Sequence, residues 1–174
     1  MTLHIPKYCP ECGTKYPSVL KEVDEIQCRH CGHIHYLNVA GVANLIVPYG
    51  GGIFIQQRGI QPGRSLWGLP GGYMKPRESW QKAGARETDE EIGVVISDPH
   101  EDIEQHFFDS SPHSNTLVVF GRVRAGVSVV VAPFAPHREV LRREILFPRQ
   151  WPGFGDYIAF ALHRLAIDSY FKGL

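Results

Sequence analysis

Apolar residues change their pattern near residue 36. Residues 39–47 form an almost unbroken apolar run without helical periodicity, which predicts a buried strand. Residues 48–52 have turn chemistry and residues 53–58 predict a second strand, so the two strands should pair as a hairpin. Further apolar runs predict strands at residues 103–108, 117–123, 127–131 and 144–147. We therefore expect two units, residues 1–36 and residues 37–174.

Two segments have the composition of helices. Residues 79–92 predict a helix that Ser79 caps and Gly93 ends. Residues 156–172 predict a closing amphipathic helix. Its expected buried face consists of Ile158, Phe160, Ala161, Leu162, Leu165 and Ala166. Between the second strand and the first helix, residues 59–65 predict a loop, residues 66–69 an extended segment, and residues 70–72 a stretch that cannot be helical.

All four cysteines lie in the first unit. They form two Cys-x2-Cys-Gly knuckles separated by 15 residues, and the cysteines are Cys9, Cys12, Cys28 and Cys31. This spacing is typical of four thiolates around one zinc ion. The glycine after each knuckle allows a tight turn that directs amide hydrogens toward the sulfurs. Two disulfides or four unligated thiols are the alternative, and the pairing of the knuckles favours a structural zinc site. The nearby His30, His33 and His35 are expected at the surface, because four thiolates already fill a tetrahedron.

Charge and hydropathy exclude several classes of protein. The chain has 18 lysines and arginines and 18 aspartates and glutamates, a balance that argues against a nucleic-acid partner bound through its phosphates. Its apolar runs are shorter than the ~20 residues that cross a bilayer, so we expect no membrane association. The first residues do not resemble a secretory signal, which predicts a cytoplasmic protein.

Three glutamates in the first predicted helix suggest a metal site. Glu87, Glu90 and Glu91 stand at i, i+3 and i+4 and therefore share one helix face. Like charges at this spacing destabilise a helix, and a hard cation such as magnesium or manganese would relieve the repulsion. A solvated acidic face with Lys82 and Arg86 as partners explains the same spacing, which by itself does not choose between the two.

Residues 72–94 match the pattern G-x5-E-x7-R-E-U-x-E-E-x-G-U, where U is a bulky apolar residue. The fixed positions are Gly72, Glu78, Arg86, Glu87, Glu90, Glu91 and Gly93. Val94 fills the last apolar position, whereas Thr88 is a mild departure at the first. Through this box the chain resembles the Nudix hydrolase family, from about residue 38 onward. The cysteine module resembles the zinc ribbon of one subset of these enzymes, the subset that acts on ADP-ribose and FAD.

The resemblance implies an α/β fold, the Nudix α/β/α sandwich with a mixed sheet, preceded by a small zinc ribbon. It implies hydrolysis of a diphosphate linked to a nucleoside, with Glu87, Glu90, Glu91 and the backbone of Gly72 holding catalytic magnesium or manganese. By the same analogy, Arg86 forms an ion pair that holds the glutamates, and Glu78 supports the same loop and helix. The general base is either a glutamate of the box or one from a later loop, where the candidates are Glu139 and Glu144.

Substrate preference is expected from residues outside the box. Zinc-ribbon relatives specialised for NADH carry S-Q-P-W-P-F-P-x-S after the box, and this signature is missing here. Pro112 lies near the place where relatives that act on ADP-ribose carry a proline. Arg58 ends the second predicted strand and is expected to face the diphosphate. The aromatic residues that could stack on a base, most of them also candidates for the core, are Phe54, Trp67, Tyr73, Phe107 and Phe108.

Two other functions are alternatives. Hydrolysis of an NADH-derived or other nucleotide cap on RNA uses the same bond chemistry. A zinc-ribbon adaptor with an inactive Nudix scaffold belongs to another class, and the intact box together with the sparse basic residues of the ribbon argues against it. We expect a small nucleotide as the partner, and a homodimer is one of the assemblies that the sequence leaves open.

Overall fold

The computed structural model describes residues 6–17, 25–111 and 114–173. The strands are β1 (Glu25–Gln27), β2 (Ile34–Tyr36), β3 (Ala40–Ile46), β4 (Pro48–Tyr49), β5 (Gly52–Arg58), β6 (Trp67–Gly68), β7 (Gly71–Tyr73), β8 (Val94–Val95), β9 (Ile103–Ser111), β10 (Thr116–Val123), β11 (Val130–Val131) and β12 (Val140–Leu146). The helices are α1 (Trp80–Ile92), α2 (Pro99–Asp102), α3 (Trp151–Phe154) and α4 (Ala161–Lys172), with 3₁₀ turns at Pro148–Gln150 and Gly155–Tyr157. The chain thus combines helices and strands, as the predicted α/β class requires.

Two four-stranded sheets form the framework. The first has the order β7-β3-β10-β9, in which β10 runs parallel to β3 and the other pairs are antiparallel. In the second sheet β5 pairs with β12, β4 and β6, all antiparallel. Strands β8 and β11 form a short separate pair. The mixed sheet implied by the resemblance is confirmed.

Helices α1 and α4 cover opposite faces of β5. Ile53 and Ile55 pack in the cluster that contains Ile167 of α4. The intervening Phe54 packs in the cluster that contains Ile92 of α1. Because successive side chains of a strand point to opposite faces, the two helices enclose the strand between them. The predicted α/β/α sandwich is therefore confirmed.

The hairpin predicted between residues 39–47 and 53–58 is wrong, because β3 pairs with β7 and β10 in the first sheet and not with β5. A shorter hairpin replaces it. Strands β4 and β5 pair antiparallel, and Gly50 and Gly51 have φ values of 58° and 86°, a region that suits glycine. Two later strands differ from the prediction. Strand β11 is shorter than residues 127–131, and β12 begins at Val140 rather than at residue 144. Helix α2, capped by the Asp98 side chain, was not predicted.

The closing helix begins later than the sequence predicts. Ile158 is extended and bridges to Trp67, and Ala159 N–H donates to the Trp67 carbonyl over 2.8 Å, so the chain cannot yet be helical there. The predicted buried face is confirmed at Ile158 and Ala166 and is wrong at Leu165, which is 51% exposed. The residues of α4 that are buried are His163, Ala166, Ile167 and Tyr170. The apolar residues of this segment are compatible with two different buried helix faces, and packing against the sheet selects the observed one.

The cysteine unit has a small core of its own. Cys9, Tyr16, Ile26 and Cys28 are buried together, with Leu37 packed against them. Strands β1 and β2 form its antiparallel hairpin. This core is too small to be stable without additional cross-links or a metal, which agrees with the concentration of thiols in it.

Candidate functional site

Helix α1 carries most of the box. The Ser79 hydroxyl accepts a hydrogen bond from Lys82 N–H, and Gly93 ends the helix with a left-handed φ of 64°. Thr88, the departure from the apolar pattern, is fully buried, and its hydroxyl donates to the Gly84 carbonyl at 2.7 Å. The helix backbone therefore satisfies the polar group that this position would otherwise leave buried without a partner.

The Arg86 guanidinium lies at the centre of the box. It pairs with both oxygens of Glu78, with Nε at 2.8 Å from Oε1 and Nη2 at 2.9 Å from Oε2. Its Nη1 donates to Glu87 Oε1 at 2.6 Å and to Glu90 Oε2 at 3.0 Å. The hydrogen bonds from Arg86 hold the pKa of Glu78 at about 2, well below its usual range. One half-buried cation thus joins three carboxylates from the helix and the preceding loop.

Glu91 is bound by different partners. Its Oε2 accepts hydrogen bonds from Gln56 Nε2 at 2.6 Å and from Gly71 N–H at 2.8 Å. Burial raises the pKa of this carboxyl to about 7, although the two hydrogen bonds oppose the shift. The backbone carbonyl of Glu91 also lies 3.1 Å from Nε2 of His137. The carboxyl end of α1 is therefore anchored to β5, to β7 and to the loop that contains His137.

The glycines before the helix leave space for the carboxylates. A Cβ on Gly72 would lie 2.6 to 2.8 Å from the carboxylate atoms of Glu87, so a side chain would displace that group. Gly71 has a positive φ of 150°, and a Cβ there would collide with the Ala43 carbonyl. The backbone therefore approaches Glu87 and Glu91 more closely than any other residue type allows.

The carboxylates have the chemistry of a magnesium or manganese site. Hard cations of this kind bind carboxylate and carbonyl oxygens. Among the hydrogen bonds of the described residues, none reaches Oε2 of Glu87 or Oε1 of Glu91, and Glu90 is 53% exposed at its side chain. These oxygens can coordinate a cation without breaking the pairs to Arg86, Gln56 and Gly71.

Arg58 extends toward the same region from the end of β5. Its Nε donates to the Pro62 carbonyl at 2.9 Å, and its guanidinium lies 4.8 Å from the centre of the Phe160 ring. Burial lowers the pKa of Arg58, while the charges of Glu91 and Glu139 oppose this shift. The guanidinium is therefore within electrostatic range of both carboxylates.

The aromatic candidates differ in exposure. Phe54 was expected to contact substrate, but it is only 3% exposed and packs 5.0 Å from the Tyr49 ring. Phe54 lies on the face of β5 that packs against α1 and belongs to the core, so this prediction is wrong. Trp67 is half-buried, with its ring 5.9 Å from that of Phe154. Tyr73 is 52% exposed, and its carbonyl accepts a hydrogen bond from Arg86.

The remaining candidates lie farther from the box. Phe107 packs against Phe120 at 5.7 Å, whereas Phe108 is 60% exposed on β9, three strands away from Tyr73 on β7. Pro112 lies outside the described residues.

The two candidate bases occupy different surroundings. Glu144 pairs with Ile55, whose side chain lies on the α4 face of β5, so Glu144 points away from the box helix. Glu139 is exposed, its carbonyl accepts a hydrogen bond from Gly59 N–H at 2.7 Å, and its charge acts on Arg58. Of the two, only Glu139 lies near the charged groups of the site.

Two buried polar residues were missed by the sequence analysis. Gln56 is 2% exposed, and His163 Nδ1 accepts a hydrogen bond from Leu69 N–H at 3.1 Å. Burial lowers the pKa of His163 to about 3, so the imidazole is neutral. A glutamine that follows three apolar strand residues was the available signal for Gln56. The burial of His163 could have been inferred only from a correct assignment of the buried face of α4.

The four cysteine sulfurs form a second cluster. All four Sγ atoms lie within 4.8 Å of one another, with Cys9 and Cys31 separated by 3.7 Å and Cys12 and Cys28 by 3.6 Å. Zinc–thiolate bonds of about 2.3 Å in a tetrahedron place sulfurs about 3.8 Å apart, whereas a disulfide needs about 2 Å. Within the described ranges, no other group of three or more His, Cys, Asp or Glu is arranged in this way.

The two knuckles have the same backbone geometry. Cys9 N–H donates to the Thr14 carbonyl, and Cys28 N–H donates to the His33 carbonyl in the equivalent place. Gly13 and Gly32 have φ values of 71° and 77°. Their N–H groups donate to the carbonyls of Cys9 and Cys28, and the turns direct backbone amides to the sulfurs, those of Glu11 and Cys12 to Cys9 and that of His33 to Cys31. The knuckles therefore present the thiols from two matching tight turns.

No helix in the described part of the chain is long and apolar enough to cross a membrane.

Comparison with known proteins identifies relatives of this fold. The NUDIX domain family matches residues 37–155. The structure is similar to the crystal structure of a NUDIX hydrolase from Nitrosomonas europaea, at 25% identity and a TM-score of 0.76, over 96% of this chain and 91% of that chain. It is also similar to a MutT protein from Methanosarcina mazei Go1, at 21% identity and a TM-score of 0.57, over 78% and 94% of the two chains. A MutT NUDIX hydrolase from Burkholderia pseudomallei is similar at 18% identity and a TM-score of 0.56, over 75% and 96%. The last two likenesses concern the fold alone. Comparison with curated proteins gave no match.

Proposed function

The chain belongs to the Nudix family of hydrolases, and from this premise we propose that it cleaves the diphosphate of an adenine-containing nucleoside diphosphate derivative. ADP-ribose and FAD are the proposed substrates, ahead of NADH, and AMP is one product. The observation that carries the proposed reaction is the box at residues 72–94, which has all its fixed residues and whose carboxylates surround Arg86 and the Gly71–Gly72 backbone.

Glu87, Glu90 and Glu91 would hold catalytic magnesium or manganese, together with the backbone of Gly72. Such an ion, when bound, neutralises phosphate charge and lowers the pKa of the attacking water. Arg86 keeps the side chains of Glu87 and Glu90 in place and touches no substrate in this proposal. Glu78 acts through Arg86, because both of its oxygens are occupied by that guanidinium.

Arg58 binds the diphosphate in this proposal. A guanidinium offers paired N–H donors to phosphate oxygens, and burial of Arg58 excludes part of the competing water. Stacking on Phe160 restricts the side chain before substrate binds. Tyr73 is the proposed stacking partner for the base, because it is exposed and adjoins Arg86 through its carbonyl.

Glu139 is the proposed general base. It is proposed ahead of Glu144 because its charge acts on Arg58, the proposed contact of the diphosphate, as does that of Glu91. Glu139→Gln should lower kcat by at least tenfold with KM little changed. Glu144→Gln on the opposite face of the sheet is the matched control and should leave kcat unchanged.

We propose that the cysteine cluster binds one zinc ion that stabilises the ribbon. Four thiolates leave no open position for substrate, so the role of the metal is structural. This proposal is supported by the tetrahedral spacing of the sulfurs.

The substrate proposal is tested by a panel of nucleotides. Purified protein with magnesium is assayed against ADP-ribose, FAD, NADH, diadenosine polyphosphates and nucleoside triphosphates. We expect the highest kcat/KM with ADP-ribose or FAD. If NADH or a triphosphate is turned over at least tenfold more efficiently than both, the assignment of substrate is wrong.

The role of Arg58 is tested with two arginine variants. Arg58→Ala should raise KM for the diphosphate substrate by about tenfold or more and leave metal dependence unchanged. Arg64→Ala, an exposed arginine in the loop after β5, is the control and should change KM little. Equal effects of the two substitutions would show that Arg58 has no specific contact with the phosphates.

A further inference from the structure

Gln56 is a polar residue in an otherwise apolar part of β5. It follows Ile53, Phe54 and Ile55, all nearly inaccessible, and is itself 2% exposed. Burying an amide in such a place is unfavourable unless hydrogen bonds replace its contacts with water. An apolar side chain would satisfy the packing of the strand, so the amide requires another reason.

Among the described residues, the side-chain amide of Gln56 makes one hydrogen bond, to Glu91. Gln56 Nε2 donates to Glu91 Oε2 at 2.6 Å. At the other end of the amide, Oε1 is buried and has no hydrogen-bond partner among the described residues. A glutamine with a purely structural role would be expected to satisfy both ends. The amide is therefore specific for the carboxylate of Glu91.

Gln56 and Gly71 together occupy one oxygen of that carboxylate. A carboxylate oxygen has about two lone pairs that accept hydrogen bonds. Gly71 N–H donates to the same Oε2 at 2.8 Å, so both lone pairs are in use. The other oxygen, Oε1, accepts no hydrogen bond among the described residues and is the one that a cation can reach.

We infer that Gln56 is a positioning residue that selects which oxygen of Glu91 binds the catalytic cation and holds that oxygen in one orientation. The two donors come from different elements, β5 and the start of β7, and so fix Oε2 from two directions. Removing one donor lets the carboxylate rotate and present either oxygen. This inference rests on the proposed metal site, and its test therefore measures metal binding without substrate.

The variants are Gln56→Met and Gln57→Met. Methionine nearly matches the length and volume of glutamine but donates no hydrogen bond. Gln57 is the matched control, because its Nε2 donates to the Ser65 carbonyl at 2.9 Å and not to a carboxylate. If the Gln56→Met protein does not fold, Gln56→Leu is the second variant.

Binding of Mn²⁺ is measured by electron paramagnetic resonance, and Mg²⁺ titrations of hydrolysis give the half-saturating concentration. Gln56→Met should weaken Mn²⁺ binding and raise half-saturating Mg²⁺ by about tenfold or more, with KM for nucleotide changed less than threefold. Gln57→Met should leave all three quantities unchanged. In a Glu91→Gln background, Gln56→Met should cause no further loss of Mn²⁺ affinity, because the two residues act as one unit.

The outcomes separate this inference from the function on which it rests. If a folded Gln56 variant binds Mn²⁺ as tightly as the unaltered protein, while Glu91→Gln binds it weakly, the metal site stands and the role of Gln56 is refuted. If Glu91→Gln leaves Mn²⁺ binding intact, the proposed metal site is wrong and the inference fails with it.

Discussion

The two regions that we propose to bind metal are assembled in different ways. The cysteine cluster uses ligands from two short knuckles whose backbone hydrogen bonds repeat each other. The box on α1 uses carboxylates whose partners come from three other places, namely the loop at Glu78, the Gly71 backbone and Gln56 on β5. A local turn can therefore present thiols by itself, whereas the orientation of the carboxylates depends on the folded sandwich.

This difference predicts how each region responds to mutation. In the ribbon, we expect binding of the proposed zinc and folding to be one process, because its core of buried residues is small. In the box, the proposed cation would bind to a framework that the two hydrophobic clusters already hold together. Loss of a thiolate should thus unfold its region, whereas loss of a carboxylate should remove function and leave the fold intact.

The largest expected effect is on turnover. Glu90→Gln and Glu91→Gln keep the shape of the side chains and remove charge, so kcat should fall at least a hundredfold. The melting temperature of Glu90→Gln should be nearly unchanged, because that side chain is 53% exposed. Asp89→Asn, an exposed neighbour on the same helix, is the control. Activity within a few-fold of normal for both glutamine variants would show that the cation is held elsewhere.

Removal of one thiolate comes next. Cys28→Ala should abolish the binding of about one zinc per chain, measured by elemental analysis, and should unfold the ribbon. Magnesium-dependent hydrolysis should survive at least in part, because the sandwich has separate cores. His30→Ala should retain zinc, since His30 is exposed and lies outside the sulfur cluster. Zinc retained by Cys28→Ala, or lost from His30→Ala, would contradict the four-thiolate assignment.

A smaller effect is expected at His163, which joins α4 to the backbone that precedes Gly71. His163→Leu leaves Leu69 N–H buried without its acceptor, which costs about 1–3 kcal/mol of unfolding free energy. We expect a melting temperature lower by several degrees at pH 7. His163→Asn places an amide oxygen close to the position of Nδ1 and should recover part of the loss. Equal destabilisation by both variants would show that the hydrogen bond is unimportant.

His163 also predicts a dependence on pH. Burial depresses its pKa to about 3, below the value of about 6.5 for an exposed histidine. The unfolded chain therefore takes up this proton first, and the stability contribution is complete above pH 6.5 and declines as the pH falls toward 3. His163→Leu should weaken the decline of the melting temperature between pH 6.5 and about 4.5. An unchanged slope in that range would mean that another group is responsible.

The smallest effect is expected at Glu78. Glu78→Gln removes the charge that pairs with Arg86 and should lower the melting temperature by a few degrees and kcat less than Glu90→Gln does. Because Arg86 depresses the pKa of Glu78 to about 2, its contribution is present above about pH 4.5 and is lost as the pH falls toward 2. The control is Glu144→Gln, which removes an exposed charge on the opposite face. Matching acid sensitivity of the two variants would contradict the ion pair.

The sequence was most informative where the structure is local. The cap at Ser79, the end of α1 at Gly93 and the clustering of the four cysteines all follow from short-range patterns that the structure reproduces. Capping, left-handed glycines and knuckle spacing act over a few residues, so the neighbouring sequence contains the required information. The sandwich fold was predicted from the family resemblance of residues 72–94. Composition and periodicity alone did not predict it.

Tertiary structure decided which polar residues are buried and which aromatic residues are exposed. Phe54 was expected at the substrate and lies in the core, while Gln56, two residues later on the same face of β5, contacts Glu91. The buried face of α4 includes His163 and Ile167, which the sequence did not predict to be buried. The two polar side chains are selected by partners at least 35 residues away, Glu91 for Gln56 and Leu69 for His163. The residues of the box could therefore be identified from the sequence. Which of their carboxylate oxygens are available to a cation depends on contacts that form only when the sheets and helices pack.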